Sequence, residues 1–386
     1  MWLTPINHQG AIKAVDLVQR HLLIVGQTGS GKTTTALGLL SELQQANQTT
    51  IVFDPTGEYA KLPNTITYRF GDNAYLDPGN LSWPQLQQLL QLPPVTQLQE
   101  QQIEQAIQTL RYQANVANVK QPWDWCGQAQ ATWEGMLRRL GSWSDSYPVT
   151  LLPTQWRQVM VAPDAHQPDY TLLGQQVDPE QVHAAWPMMQ AMRTKLHDPI
   201  YQRLFALTPG NGVQSELTFV LKMFLKHPSQ HRTLVIDLSL LKDLALSQQV
   251  VLSVLYQTML NYRLQTAERF PVQVVLDEAH RYLPTDEHQL AANGLFQVAR
   301  EGRKVGLTMV VTTQSPLDLP ARLRSQFAHQ MMHYLGSKAE WQSLGIMQTK
   351  LPTLSTGQCL IQGLTEQVLP YQVAYQHGGQ AIKGEN

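Results

Sequence analysis

The stretch His21-Leu22-Leu23-Ile24-Val25-Gly26-Gln27-Thr28-Gly29-Ser30-Gly31-Lys32-Thr33-Thr34 decides the fold. His21–Val25 is a short apolar run ending at a glycine, which reads as a buried strand. Gly26–Thr33 fits G-x-x-x-x-G-K-[ST], and Thr33–Ala46 continues as a helix with Leu37, Leu40 and Leu43 on one face. A glycine-rich turn between strand and helix lets backbone N–H groups point inward around phosphate oxygens, and the helix N-terminus adds a favourable dipole. The pattern therefore assigns Gly26, Gln27, Thr28, Gly29, Ser30, Gly31, Lys32, Thr33 and Thr34 to nucleotide binding. Lys32 is expected on the β- and γ-phosphates of ATP, and the Thr33 hydroxyl on Mg²⁺.

Outward from this loop, Thr50–Phe53 and Thr65–Phe70 read as the next strands. Such strand–helix–strand alternation predicts an α/β fold, a P-loop NTPase core with a mostly parallel central sheet. After Asp72 the character changes. Residues 78–215 are rich in glutamine, tryptophan and proline and lack a convincing strand before their end. Helix starts are expected at Ser82-Trp83-Pro84, at Thr96 with Gln99 as a capping box, and at Asp178-Pro179-Glu180, with a further helix over about 127–140. The expected organisation is a first core segment, 1–77, a helical insertion, 78–215, and a second core segment, 216–386, ending in edge strands. In that last segment Leu234–Ile236, Val272–Leu276 and Leu307–Thr312 read as strands, Ser247–Gln265 as a long helix, and Gln358–Gln362 with Val368–Ala374 as a final pair.

The strand Val272–Leu276 runs into Asp277-Glu278. A P-loop site needs one acid at a strand end for the Mg²⁺ water shell, the task expected of Asp277. It also needs a base for the attacking water, the task expected of Glu278.

Composition narrows little. A formal net charge of -1 excludes a basic nucleic-acid coat but not a ring that offers a few basic residues to a pore. Two cysteines, Cys126 and Cys359, make neither a disulfide framework nor a metal cluster, and fit a reducing cytoplasm. No apolar run approaches bilayer length, and the start Met1-Trp2-Leu3-Thr4-Pro5 lacks a signal-peptide pattern, so direct membrane insertion is not expected.

The strings VFDPTGEY (52–59), VVLDEAHRYLP (274–284) and AREGRKVGLTMVVTTQSP (299–316), with TLVIDLS (233–239) and LPTLSTGQCLI (351–361), resemble the HerA branch of the HerA/FtsK superfamily. That resemblance implies a RecA/FtsK-like core in a ring-forming, DNA-pumping ATPase of the prokaryotic cytoplasm. It implies that Arg303 reaches the neighbouring subunit's γ-phosphate, with Arg300 as a second candidate. It implies that Gln314 senses the γ-phosphate or orients water, and that Asp54 lines the same site. Arg20, before the first strand, is expected to act in cis near the nucleotide. The family often has histidine where this chain has Thr56. HerA proteins usually carry an N-terminal β-barrel that resembles a docking platform for a nuclease. Only about twenty residues precede the first strand here, so that barrel is expected to be absent.

The leading expectation is therefore a homo-hexameric ATPase translocating DNA, most simply duplex, through its pore, working with a nuclease or other effector in DNA processing or anti-phage defence. The alternatives are an assembly and sensing ATPase that scaffolds an effector, and a conjugation or secretion ATPase. Basic residues within 193–203 and 226–232 are the pore candidates. His280 and His288 lack the further ligands of a metal site. Trp123, Trp125, Trp133, Trp143 and Trp156 read as helical core rather than a base-stacking platform.

Overall fold

A computed structural model describes all residues except 1, 7–11, 60–61, 142–145, 208–212, 229–232, 268, 285–286, 348–351, 366, 375, 378–379 and 382–386. Its strands are β1 Leu3–Pro5, β2 Leu22–Val25, β3 Thr49–Asp54, β4 Thr65–Arg69, β5 Thr233–Asp237, β6 Val272–Leu276, β7 Leu307–Thr313, β8 His329–Met332, β9 Gln358–Gln362 and β10 Leu369–Val373. They form one ten-stranded sheet in the order β1-β10-β9-β8-β2-β7-β6-β3-β5-β4. From β8 to β4 every neighbouring pair is parallel, whereas β9, β10 and β1 pair antiparallel at one edge.

The central strands are buried along their whole length, which is why they read as continuous apolar runs without alternation. On one face Ile24, Val52, Val275 and Val310 pack with Leu39, Leu40 and Leu43 of the helix Lys32–Gln45. Towards the other, Tyr256 of the helix Ala245–Gln265 sits against Phe53, ring centroids 5.0 Å apart. The register aligns Val25 with Thr313, Leu276 with Val311 and Phe53, and Asp54 with Asp237, so these strands end together at one edge of the sheet. Their starts lie together at the opposite edge.

By contact density the described chain forms two compact units, residues 1–70 with 217–386, and residues 71–216. The second is mostly helical. Ser82 and Gln85 form a capping box at the helix Trp83–Leu89, Thr96 and Gln99 another at Gln97–Tyr112, and Asp178 caps Pro179–His197. Trp83 and Trp156 are fully buried, and Trp125 packs on Trp133 with centroids 5.0 Å apart. Trp143 lies outside the described residues. Two-residue strands do occur, Val161–Ala162 with Gln176–Val177 and Ala74–Tyr75 with Ser215–Glu216, too short to leave a periodic signal. Of the basic pore candidates, Arg193 and Lys195 lie over the rings of Trp186 and Tyr201, and 229–232 fall outside the described residues.

Candidate nucleotide site

The loop Gly26–Gly31 leaves the C-terminal end of β2 and enters the helix Lys32–Gln45. Gly29 and Gly31 have φ of +81° and +109°, a region that a side chain would strain. A Cβ on Gly26 would lie 2.5 Å from the His333 Cβ. The segment after β8 braces the loop: His333 N donates to Val25 O at 2.8 Å and Gln27 N to Tyr334 O at 3.0 Å. Beneath it, buried His333 donates from Nδ1 to Gln358 O and accepts at Nε2 from Thr35 Oγ1, both at 2.9 Å. Burial, with a smaller contribution from Lys32, pushes the His333 pKa down to about 4.

Within the loop Gln27, Thr28 and Gly29 are exposed, Thr33 is half-buried and Thr34 exposed. Lys32 is buried and donates to Gln27 O at 3.3 Å. Burial lowers its pKa, while the Glu278 and Asp277 carboxylates oppose that shift. Ser30 Oγ is buried with no partner among protein atoms, an orphan that a phosphate oxygen would satisfy. The hard oxygens of Thr33 and Asp277 form a donor set suited to Mg²⁺.

The acids sit at the end of β6. Thr312, on the adjacent strand β7, donates its hydroxyl to Asp277 Oδ1 and accepts from Glu278 N at 3.0 Å. One hydroxyl thus fixes both residues. Glu278 adopts φ +49°, uncommon for a side-chain-bearing residue and frequent at functional sites. Its Oε1 accepts from Gln314 Nε2 at 3.3 Å, and Gln314 Oε1 accepts from Thr28 Oγ1 at 3.2 Å. On its other side His280 Nδ1 lies 3.3 Å from Glu278 Oε2 and 3.1 Å from Thr313 Oγ1. The structure therefore brings Thr28, Glu278 and Gln314 into one chain of contacts. Sequence reasoning missed Thr312 and Thr313 and weighed His280 only as a metal ligand; the signal was the pair of threonines closing the strand. The side chain of His288 lies outside the described residues.

Asp54 organises its own loop. Its carboxylate is buried and accepts five hydrogen bonds from its own loop, from Thr56 N and Oγ1, Gly57 N, Glu58 N and Tyr59 N. Burial raises its pKa against the amides of Tyr59 and Gly57, which lower it. That turn carries Glu58 towards the acids: burial, then the charges of Asp277, Asp54 and Glu278, raise the Glu58 pKa. The glutamate of DPTGEY, rather than its aspartate, is the group left exposed there.

Arg303 is not at its own chain's loop. It lies in the helical turn Gly302–Val305 that leads into β7, at the start edge of the sheet, where it is exposed and its charge is felt by His21. His21 is buried, and burial with Arg303 pushes its pKa down to about 4. Arg300 lies over the Phe296 ring at 5.9 Å. Arg20 stands at the same edge, in a recess with Asp16 and His329. Five residues, four of them the strand β2, separate it from Gly26, about 20 Å of chain, beyond the reach of an arginine side chain. The cis placement expected of Arg20 is corrected accordingly: it shares an edge with Arg303.

A strand inserted between the P-loop strand and the acid-bearing strand, with a polar residue at its tip, marks the RecA/FtsK arrangement. A family model described as "Helicase HerA, central domain" matches residues 8–259. The chain belongs to that family. A probable DNA double-strand break repair helicase HerA of Methanocaldococcus jannaschii is 25% identical over 347 residues, covering 84% of this chain and 63% of that protein. The DNA double-strand break repair helicase HerA of Sulfurisphaera tokodaii is 34% identical over 64 residues, 17% of this chain and 13% of that protein. The chain thus spans less than two thirds of the length of these HerA relatives. VirB4 of Thermoanaerobacter pseudethanolicus superposes with TM-score 0.59 at 15% identity, covering 92% of this chain and 88% of that one. The plasmid coupling protein TrwB bound to the ATP analogue ADPNP gives 0.54 at 15%, covering 96% and 91%. Those likenesses are of fold, that of P-loop NTPases, and the HerA-type chain shares it. Among the described residues no helix is long and apolar enough to cross a membrane.

Proposed function

We propose that this HerA-type chain hydrolyses ATP in a homo-oligomeric ring, a hexamer by family resemblance, and couples hydrolysis to DNA translocation. The observation that carries the reading is the separation of Arg303 from the loop by the length of the sheet. Arg303 does not stand at the loop of its own chain, so for it to meet the γ-phosphate beside Lys32, Glu278 and Gln314 it must come from another copy. With Arg303 and Arg20 at the start edge and the loop at the opposite one, a head-to-tail arrangement brings the two together.

In this reading the loop amides, Lys32 and Ser30 hold the phosphates, and Thr33 with Asp277 would hold Mg²⁺, which supplies charge neutralisation when bound. Glu278, positioned by Gln314 and Thr312, takes the proton of the attacking water. The neighbour's Arg303 stabilises charge on the transferring phosphoryl group. Duplex DNA would be held through its phosphates without sequence readout. A nuclease or other effector partner, and work in DNA processing or anti-phage defence in the prokaryotic cytoplasm, complete the proposal; the relatives named for DNA double-strand break repair support its DNA-processing part. Mixed assemblies of Arg303→Ala and Lys32→Ala chains test the shared site, and stimulation of hydrolysis by duplex DNA tests the coupling.

A further inference from the structure

One face of the sheet changes character a single row before its start edge. The row Val52, Val275 and Val310 is fully apolar and belongs to the core. Two residues earlier on the same three strands, and so on the same face, stand Thr50, Gln273 and Thr308, in register with one another. All three are more than nine-tenths buried, at 0%, 2% and 7% exposure. Yet Thr50 Oγ1, Gln273 Oε1 and Thr308 Oγ1 have no hydrogen-bond partner among protein atoms. A buried polar group left unmatched costs about 1–3 kcal/mol, so three in a row in the middle of a parallel sheet call for a partner.

A cavity of about 370 Å³ is lined by two of the three, Gln273 and Thr308, together with Val15, Val18, Pro271, the exposed Gln19 and the half-buried Gln48, and Arg303 stands on its wall. Its volume lies within the range of about 300–1,000 Å³ usual for small-molecule sites. Val15, Val18 and Pro271 give it apolar walls, Gln273 an acceptor in need of a donor, the threonine a hydroxyl, and Arg303 a cation. A bare anion leaves the apolar walls unfilled, and a hydrocarbon leaves the carboxamide unmatched. A flat ring with amino donors and an anionic tail satisfies all of them.

We propose that this cavity is a second nucleotide site, distinct from the P-loop, that takes a purine mononucleotide with its base on Gln273 and Thr308 and its phosphate on Arg303. A bound nucleotide would hold Arg303 on its own chain. If Arg303 also serves the neighbouring copy, as proposed above, occupancy of the cavity restrains hydrolysis; this consequence, unlike the site itself, rests on that reading.

Equilibrium dialysis of the full chain with AMP, and separately with GMP, tests the site without hydrolysis, DNA or ring assembly entering the readout. Saturable binding of at least one of them is expected, unchanged by Lys32→Ala and weakened at least about tenfold by Gln273→Leu. Thermal unfolding without nucleotide provides the folding control: Gln273→Leu removes an unmatched buried group and should keep or raise Tm. If it lowers Tm, the near-isosteric Thr308→Val decides in its place. Absence of saturable binding of either nucleotide up to millimolar concentration overturns the proposal. So does binding that Lys32→Ala removes and that the folded cavity variant retains, since the P-loop alone would then account for it.

Discussion

Gln314 Nε2 stands 3.3 Å from Glu278 Oε1, so the carboxamide at the tip of β7 holds the carboxylate at the tip of β6. Because Gln314 also accepts from Thr28, the loop, the base and the intervening strand share one side chain. Gln314→Ala is expected to lower kcat about 10- to 100-fold with a smaller change in KM, since it frees Glu278 and one Thr28 hydroxyl but leaves Lys32 and Ser30 in place. A large rise in KM with kcat intact would instead make Gln314 a binding residue.

Glu278→Gln keeps the shape of the side chain and its contact to Gln314 but removes the proton acceptor. Hydrolysis should fall by about 10²- to 10⁴-fold while ATP still binds. Equilibrium binding alongside single-turnover hydrolysis separates the two; normal turnover removes Glu278 from the chemistry.

Lys32→Ala should cost at least about a hundredfold in hydrolysis and weaken ATP binding, because the phosphates lose a buried cation. Near wild-type turnover would mean that the loop is not the hydrolytic site.

Arg303→Ala chains should bind ATP normally and lose about a thousandfold in hydrolysis. Co-expressed with Lys32→Ala chains they should regain part of it, since a Lys32→Ala chain still donates its Arg303 to an intact neighbouring loop. Mass measurement must first show that the two chains mix. Mixed assemblies without rescue would return Arg303 to a role within its own chain. In wild-type assemblies duplex DNA should raise the rate, and added salt should weaken that stimulation.

Two buried histidines give the fold an acid limit. His21 and His333 both have a folded pKa of about 4, below the unfolded value of 6.5, so the unfolded chain takes up their protons first. Their effect is absent above about pH 6.5. Stability then falls as pH drops towards 4, by up to about 1.4 kcal/mol per pH unit for each histidine. Tm measured from pH 7 to 4.5 should decline, and less steeply in His333→Gln, which can still hydrogen-bond at that position. A slope unchanged by the substitution removes His333 from the account.

The loop, its strand and its helix were readable because local chemistry alone dictates them: glycines where φ is positive, a lysine at the helix start, apolar residues in a strand covered on both faces. The strands β6 and β9 also stood in the sequence as they stand in the structure. The strand β8 did not, because His329-Gln330-Met331-Met332 has no β-branched residue, and its place between β2 and β9 makes it extended. The strand β1 escaped because three residues at a sheet edge carry no period. At the site, a sequence gives the position of the Asp54 carboxylate and not the four amides and one hydroxyl that enclose it. Arg20 was misplaced for a related reason: adjacency in sequence to a strand does not say which end of that strand the ligand occupies.

The strand β7 has a mechanical side. Its seven residues, about 20 Å of extended chain, begin beside Arg303 and end beside Gln314. Flanked by β2 and β6 and hydrogen-bonded to both, it can neither bend nor shorten on its own. In a ring where Arg303 serves the next copy, one end of this rod rests on one nucleotide and the other end on another. Movement at the first site would then reach the second along a paired strand, a strut rather than a relay of loops.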